Sequence, residues 1–281
     1  MTATIISGKE IAQQIKNELQ QKITKLPTSP SLAVILVGSN PASLTYVKNK
    51  EKSSLEVGIK STTYHLSQDI SQTELIELID LLNKDDSTNG ILVQLPLPKH
   101  LNQDEILSTI SPQKDVDGFT PLNIGLLQKN SPSALIPCTP KGIIKILKTL
   151  PIDLTGQNAV IVGRSQIVGL PVAQLLIQEN LTVTITHSKT KDLKTITKNA
   201  DILVTALGCP EFITKDHIKK DAIIIDVGIN KTATGLKGDV KFDDALELCS
   251  YVTPVPGGVG PMTIAMLLEN TYLAYLLQTN P

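Results

Sequence analysis

The strongest constraint on the fold is a set of short, unbroken apolar runs, each ending at a turn signal. Residues 32–37 are the first, closed by Gly38. A strand apolar at every position has no solvent face, so it belongs inside a parallel sheet covered on both sides. Residues 90–95, 158–163, 201–207 and 222–227 have the same character, with shorter strands expected near 62–66 and at 182–186.

Helical patterns lie between these runs. Ser7 and Glu10 form a capping-box pair ahead of Ile11, Ile15, Leu19 and Ile23, so the chain is expected to open with a helix. A second helix runs from about Ser43 to Val57 and stops at Gly58; a third is capped by Ser71 and Glu74, with Leu75, Leu78, Ile79 and Leu82 inward. Residues 111–140, rich in Pro, Gly, Ser and Asn, read as connections over a domain boundary, after which Thr139 and Pro140 cap a helix to about Leu150.

Alternation of strand and helix makes the chain α/β. Two α/β domains are predicted. The first is residues 1–140 together with a C-terminal helix in residues 262–281 that packs back on it; the second, residues 141–261, is a Rossmann-like dinucleotide-binding domain. With 281 residues, 41% hydrophobic, the chain can bury two modest cores.

Composition narrows the function. A formal net charge of −1 with interspersed signs gives no basic face for nucleic acid and no polybasic membrane anchor, so the partner is a small molecule. No apolar stretch approaches the about 20 residues that span a bilayer. Cys138, Cys209 and Cys249 lie far apart, which suggests neither a disulfide framework nor a zinc site. A cytoplasmic location is expected, and no bound metal.

Val160-Ile161-Val162-Gly163 leads into Arg164-Ser165-Gln166-Ile167-Val168-Gly169, a glycine-bearing turn between a buried strand and a helix from about Val168. Such a turn lets backbone amides approach a phosphate at a helix N-terminus. NAD enzymes carry an acidic residue about 20 positions on, to bind the adenine ribose. Here that strand ends in His187-Ser188-Lys189-Thr190. Hydroxyl and cationic groups there suit a 2′-phosphate, and Arg164, the single arginine of the chain, can grip one in bidentate fashion. NADP is therefore expected over NAD.

Tyr46 and Lys50 stand four residues apart, on one face of the helix that follows the first buried strand. Lys48 and Lys52 beside them make a solvated lysine the bland alternative. Gln94 ends the strand before Pro96 and Pro98, where open α/β sheets bind ligands. Lys114-Asp115-Val116-Asp117-Gly118 resembles a calcium loop only briefly: with Asp115 at position one, Leu126 occupies the place of the closing Glu. A carboxylate there is better cast as a substrate anchor. Residues 254–261, Pro-Val-Pro-Gly-Gly-Val-Gly-Pro, let backbone approach a flat ligand ahead of the last helix.

These segments, in this order, resemble the bifunctional methylenetetrahydrofolate dehydrogenase/methenyltetrahydrofolate cyclohydrolase (FolD) family nearly end to end. They are residues 41–50, 90–98, 114–118, 137–140, 163–169 and 254–263. The resemblance implies folate in a cleft between the domains, on Tyr46, Lys50, Val93, Gln94, Leu95, Asp117 and the loop Pro256, Gly257, Gly258, Val259 and Gly260. NADP would lie over Gly163, Arg164, Ser165, Ser188 and Ile229, and a homodimer is the usual assembly. Asn40 stands where many bacterial members have Asp.

The implied chemistry is NADP-dependent oxidation of 5,10-methylenetetrahydrofolate to the methenyl form, then hydrolysis to 10-formyltetrahydrofolate. Oxidation leaves a cation stabilised by the flanking nitrogens and needs no protein base, whereas water addition needs proton handling. Lys50 is expected to do that, positioned by Gln94, with Asp117 gripping the pterin and Tyr46 stacking or hydrogen-bonding. A shikimate-dehydrogenase-like enzyme and a non-catalytic NADPH sensor are the competing expectations.

Overall fold

A computed structural model describes residues 2–279 and divides into two compact units. In chain order the elements begin β1 (Thr4–Ile5), α1 (Gly8–Ile23), β2 (Ser31–Val37), α2 (Pro41–Val57), β3 (Lys60–Leu66), α3 (Gln72–Lys84) and β4 (Gly90–Val93). Then come α4 (Gln103–Thr109), α5 (Pro121–Gln128), α6 (Cys138–Lys148), β5 (Asn158–Val162), α7 (Gly169–Gln178), β6 (Thr182–Thr186) and α8 (Leu193–Thr197). The chain ends with β7 (Ile202–Thr205), β8 (Ile223–Asp226), β9 (Asn230–Thr232), β10 (Gly235–Lys237), α9 (Phe242–Leu248), β11 (Tyr251–Val252) and α10 (Val259–Thr279).

One unit is Gln13–Cys138 with the chain from Ile264 on. Its parallel sheet has the order β3-β2-β4. The central β2 is buried beyond Ser31, as its unbroken apolar run requires. Leu75, Ile79 and Leu82 of α3 pack with Ile35, Ile91 and Val93 of the sheet. Local chemistry sets the helix ends. Asn40 Oδ1 accepts from Ala42 N and Ser43 N at the start of α2, Pro41 takes the first turn, and Gly58 ends the helix at φ 87°. Ser71 and Glu74 close a full capping box on α3.

The C-terminal helix packs back on this unit, as expected. Asn270 Nδ2 donates to Val116 O and Ile136 O, both at 2.8 Å, and Gln278 Nε2 donates to Asn89 O at 2.8 Å. The helix begins at Val259 rather than Met262, because the glycine-rich loop already turns helical there. Residues 280 and 281 of the expected 262–281 segment lie outside the described residues.

The other unit is Thr139–Thr263 with the chain up to Ala12. Its main sheet has six strands, all parallel, in the order β1-β11-β8-β7-β5-β6. Val160, Val162, Leu203, Ile224 and Val252 line one core beneath it. Three features differ from the sequence reading. The chain opens with a strand before its first helix: Thr4 and Ile5 pair with Tyr251 and Val252, so the first twelve residues group here and not with the rest of 1–140. Two residues are too few to carry an alternation. Second, residues 111–140, read as connections, contain α5, capped by Thr120 with Pro121 at its first position. The turn-forming residues there act as helix caps. Third, the β9–β10 hairpin and the short helices α4, α8 and α9 were not expected; each is too brief for periodicity to register.

Candidate functional site

In the first sheet β3 lies on one side of β2 and β4 on the other, so the strand order switches sides between β2 and β4. Ligands bind at such switch points, outside the carboxyl ends of the strands. Gln94, just past β4, is fixed there by its backbone N–H to Ile35 O at 2.8 Å. Lys50 reaches it from α2. The inward face of α2 is Ser43, Val47, Lys50, Ser54 and Val57, and Lys50 is only 7% exposed, whereas Lys48 and Lys52 are in solvent. The bland reading holds for those two lysines and fails for Lys50.

Lys50 Nζ donates to Gln94 Oε1 at 3.0 Å, while Gln94 Nε2 donates to Leu95 O at 2.7 Å. The second bond fixes the amide orientation that presents oxygen to the amine. Tyr46 sits one turn before Lys50 on α2, and burial raises its phenol above the ordinary value. The Leu95–Pro96 peptide is cis.

A parallel bridge between Ile91 and Asp115 holds the segment that carries Asp117 beside β4. Burial raises the Asp117 carboxyl above the ordinary carboxylate value, and the Lys50 charge pulls it back down. The turn carrying Asp117 is heavily braced. Lys114 Nζ donates to Leu82 O and Asp85 O, at the end of α3, at 3.0 and 2.8 Å. Asp115 Oδ2 accepts from Thr120 N and Asn123 Nδ2 at 2.8 and 2.9 Å. Gly118 has φ 70°, and a Cβ there would collide with Leu135 O. Tyr46, Lys50, Val93, Gln94, Leu95 and Asp117 thus belong to one unit, with an amine, an amide and a carboxyl brought together.

Pro256, Gly257, Gly258, Val259 and Gly260 belong to the other unit. They follow β11, after a cis Val255–Pro256 peptide, and Gly257 O accepts from Lys9 N at 3.0 Å. In that unit β6 and β7 flank β5, so the switch point lies between β5 and β7. Gly163, after β5, abuts Ala206, after β7: a Cβ on Gly163 would strike Ala206 O. One on Gly169 would strike Gly163 O, so the turn closes only with glycine at both positions. Ser165 Oγ accepts from Val168 N and Gly169 N at 3.2 and 3.3 Å, capping α7. The N–H groups of Arg164, Ser165, Gln166 and Ile167 meet no protein acceptor among the described residues. Such a run of unpaired N–H groups at a helix N-terminus has the chemistry to hold a phosphate.

Arg164 is exposed, and Ser188 and Lys189 are exposed at the end of the neighbouring strand β6, in a turn closed by Thr190 N to His187 O at 2.8 Å. Ile229 is exposed just after β8. The expected cofactor residues therefore share the carboxyl edge of one sheet.

Three residues that shape these sites escaped the sequence reading. Asn270, fully buried in α10, ties Val116, two residues before Gly118, to Ile136, in the segment packed against Gly118; an Asn in the middle of a largely apolar helix was its signal. Asp226 ends the apolar run of β8, and a carboxylate at a core position is itself a signal. Asp239, after the β9–β10 hairpin, gave none.

Against this geometry stand the similarities to known proteins. The family model for the tetrahydrofolate dehydrogenase/cyclohydrolase catalytic domain matches residues 6–117, and that for the NAD(P)-binding domain of the same family matches residues 137–279. The chain is 53% identical over 277 residues to the bifunctional protein FolD of Streptococcus agalactiae, covering 97% of each. It is similar to the solved bifunctional FolD of Campylobacter jejuni, with TM-score 0.95 and 51% identity over 97% of this chain and 98% of that one. The FolD structure from Trypanosoma brucei, solved with NADP cofactor and inhibitor, gives TM-score 0.95 at 35% identity, with 100% of both chains covered. The chain belongs to the tetrahydrofolate dehydrogenase/cyclohydrolase family.

Proposed function

We infer that the protein oxidises 5,10-methylenetetrahydrofolate to 5,10-methenyltetrahydrofolate with NADP and hydrolyses the product to 10-formyltetrahydrofolate. The observation that carries this reading is the buried Lys50 amine, hydrogen-bonded to Gln94 beside Asp117 at the switch point of the first sheet.

The second sheet fits NADP. The unpaired amides from Arg164 to Ile167 suit the pyrophosphate, and Arg164, Ser188 and Lys189 suit the 2′-phosphate, with Ile229 against the cofactor. NADP, when bound, supplies the electron acceptor for the oxidation. The NADP in the Trypanosoma brucei relative supports the same choice.

The protein's own groups divide the remaining work. Asp117 anchors the pterin, Tyr46 packs on it, and Val93 and Leu95 line the same place; the family resemblance adds residues 256–260 to the folate-binding set. For the oxidation these groups orient and exclude water. In the hydrolysis Lys50 takes a proton from the attacking water at Nζ as the C–O bond forms, while Gln94 Oε1 holds the amine in place. The C–N5 bond then breaks, N5 taking one of the water's two protons and the other passing to solvent.

The same reading puts Gln13–Cys138 with the C-terminal helix in the folate role, and Thr139–Thr263 with the chain up to Ala12 in the NADP role. It also makes the enzyme a cytoplasmic homodimer. The buried thiols of Cys138 and Cys249 suit a reducing compartment, and among the described residues no helix is long and apolar enough to cross a membrane. The dimer rests on the family resemblance.

The test follows methenyl absorbance and NADPH fluorescence together, starting from methylenetetrahydrofolate. NADPH must appear with transient methenyl in the wild type, and absence of both would refute the reading. Lys50→Met should slow water addition at least about 100-fold. Wild-type hydrolysis by a folded Lys50→Met protein would overturn the base assignment.

A further inference from the structure

The NADP unit holds two carboxylates that the reaction does not use. Asp239 is fully buried and accepts four hydrogen bonds. Its Oδ2 takes Leu207 N at 2.6 Å and Gly208 N at 3.1 Å; its Oδ1 takes Cys209 N and Asn230 Nδ2, both at 2.9 Å. No salt bridge joins it to a cation among the described residues. Its charge is balanced by amide N–H groups alone, three of them consecutive in the backbone.

Asp226, 3% exposed, supports Asp239 from below. Its Oδ1 accepts from Asp239 N at 3.0 Å, Gly228 N at 2.9 Å and Thr205 Oγ1 at 3.1 Å, and its Oδ2 accepts from Val240 N at 2.9 Å. Space for the pair exists because Gly228 and Gly238 lack side chains: a Cβ on Gly228 would run into Asp239, and one on Gly238 into Asp226.

The segments so tied are those that leave β7 and β8 at the carboxyl edge of the sheet. Residues 206–209 follow β7 and begin with Ala206, the residue against Gly163 at the switch point. Residues 227–230 follow β8 and present Ile229 to solvent. Burying two carboxylates without a cation is costly, and four acceptor bonds each is the arrangement that offsets it. An apolar residue in place of Asp239 would fill the volume but could not grip three successive N–H groups.

We propose that Asp239, braced by Asp226, is a positioning residue for NADP, fixing the loops after β7 and β8 in the shape that receives the cofactor. This rests on the reading that NADP lies along Gly163, Arg164, Ser165 and Ile229. Asp239 acts through backbone amides and touches no reacting atom.

The experiment uses full-length Asp239→Asn, in which one accepting oxygen becomes an NH2 facing N–H donors, and Asn230→Ala, which removes a single donor. Dehydrogenase KM for NADP is measured beside hydrolysis of methenyltetrahydrofolate supplied directly, a step that consumes no NADP. Asp239→Asn should raise the NADP KM about tenfold or more, with the hydrolysis rate and the folate KM within twofold of wild type. Asn230→Ala should shift the NADP KM the same way by a smaller factor.

Equal losses in both activities would overturn the proposal in favour of a merely structural role, as would an unchanged NADP KM. If Asp239→Asn does not fold, Asn230→Ala decides: an unaltered NADP KM there overturns the proposal. Wild-type oxidation with NADP is the control. Its absence would sink the functional reading itself, whereas its presence beside unaltered variants would sink only the positioning role.

Discussion

Replacing Asn270 by Ala should loosen the turn that carries Asp117, and the size of the effect follows from the hydrogen bonds lost. The side chain is fully buried and donates to Val116 O and Ile136 O at 2.8 Å each. A buried carbonyl left without a donor costs about 1–3 kcal/mol. Val116 O keeps the Cys138 thiol at 3.3 Å, and Ile136 is only half-buried, so both losses fall toward the low end. Alanine also favours the helix by up to about 0.7 kcal/mol over Asn, which offsets part. The net expectation is a destabilisation of roughly 1.5–2.5 kcal/mol, or about 3–10 °C in Tm for a unit of this size. Urea unfolding followed by circular dichroism suits a chain without Trp. The folate KM should rise while the NADP KM holds. A loss below about 0.5 kcal/mol, the level of an ordinary surface change, would refute the argument that this amide braces the turn.

Arg164→Ala should raise the KM for NADP about 10- to 100-fold, the worth of a charge-assisted phosphate contact, and leave that for NAD within about threefold of wild type; equal losses would remove the 2′-phosphate role. Asp226 predicts a pH dependence of stability. Burial, followed by the charge of Asp239, pushes its carboxyl from 3.8 up to about 6, against the N–H donors of Val240, Asp239 and Gly228. Since the folded state holds this proton more tightly than the unfolded chain, the contribution is fully present below about pH 4 and is lost as pH rises through about 6. The whole span is about 3 kcal/mol at 1.36 kcal/mol per pKa unit. Unfolding free energies of wild type minus Asp226→Asn should therefore fall between about pH 4 and 6 and level off above that. A difference independent of pH would contradict the raised carboxyl.

Much of the framework was written in local signals. Unbroken apolar runs marked β2, β4, β5, β7 and β8 because a strand covered on both faces has no polar side to show. Ser71 with Glu74 and Gly58 marked helix ends because capping is settled within four residues of chain. Strand β1 gave no such signal. Its hydrogen bonds go to β11, and nothing within its two residues specifies a partner some 247 positions away.

The site divides along the same line. The i and i+4 spacing put Tyr46 and Lys50 on one helix face, yet the sequence by itself could not separate Lys50 from Lys48 and Lys52. Only the packing of α2 on its sheet decided which lysine is turned inward to Gln94, 44 residues on. Asp226 and Asp239 are a sharper case. Three successive amides after β7 converge on a carboxylate some 30 residues later because parallel strands bring their carboxyl ends to one edge. Hydrophobic period and capping act over one or two turns of chain, so the sequence determined the strands, helices and turns. Burial, hydrogen-bond partners and shifted acidities arise between segments far apart in the chain, and the tertiary structure alone decided them.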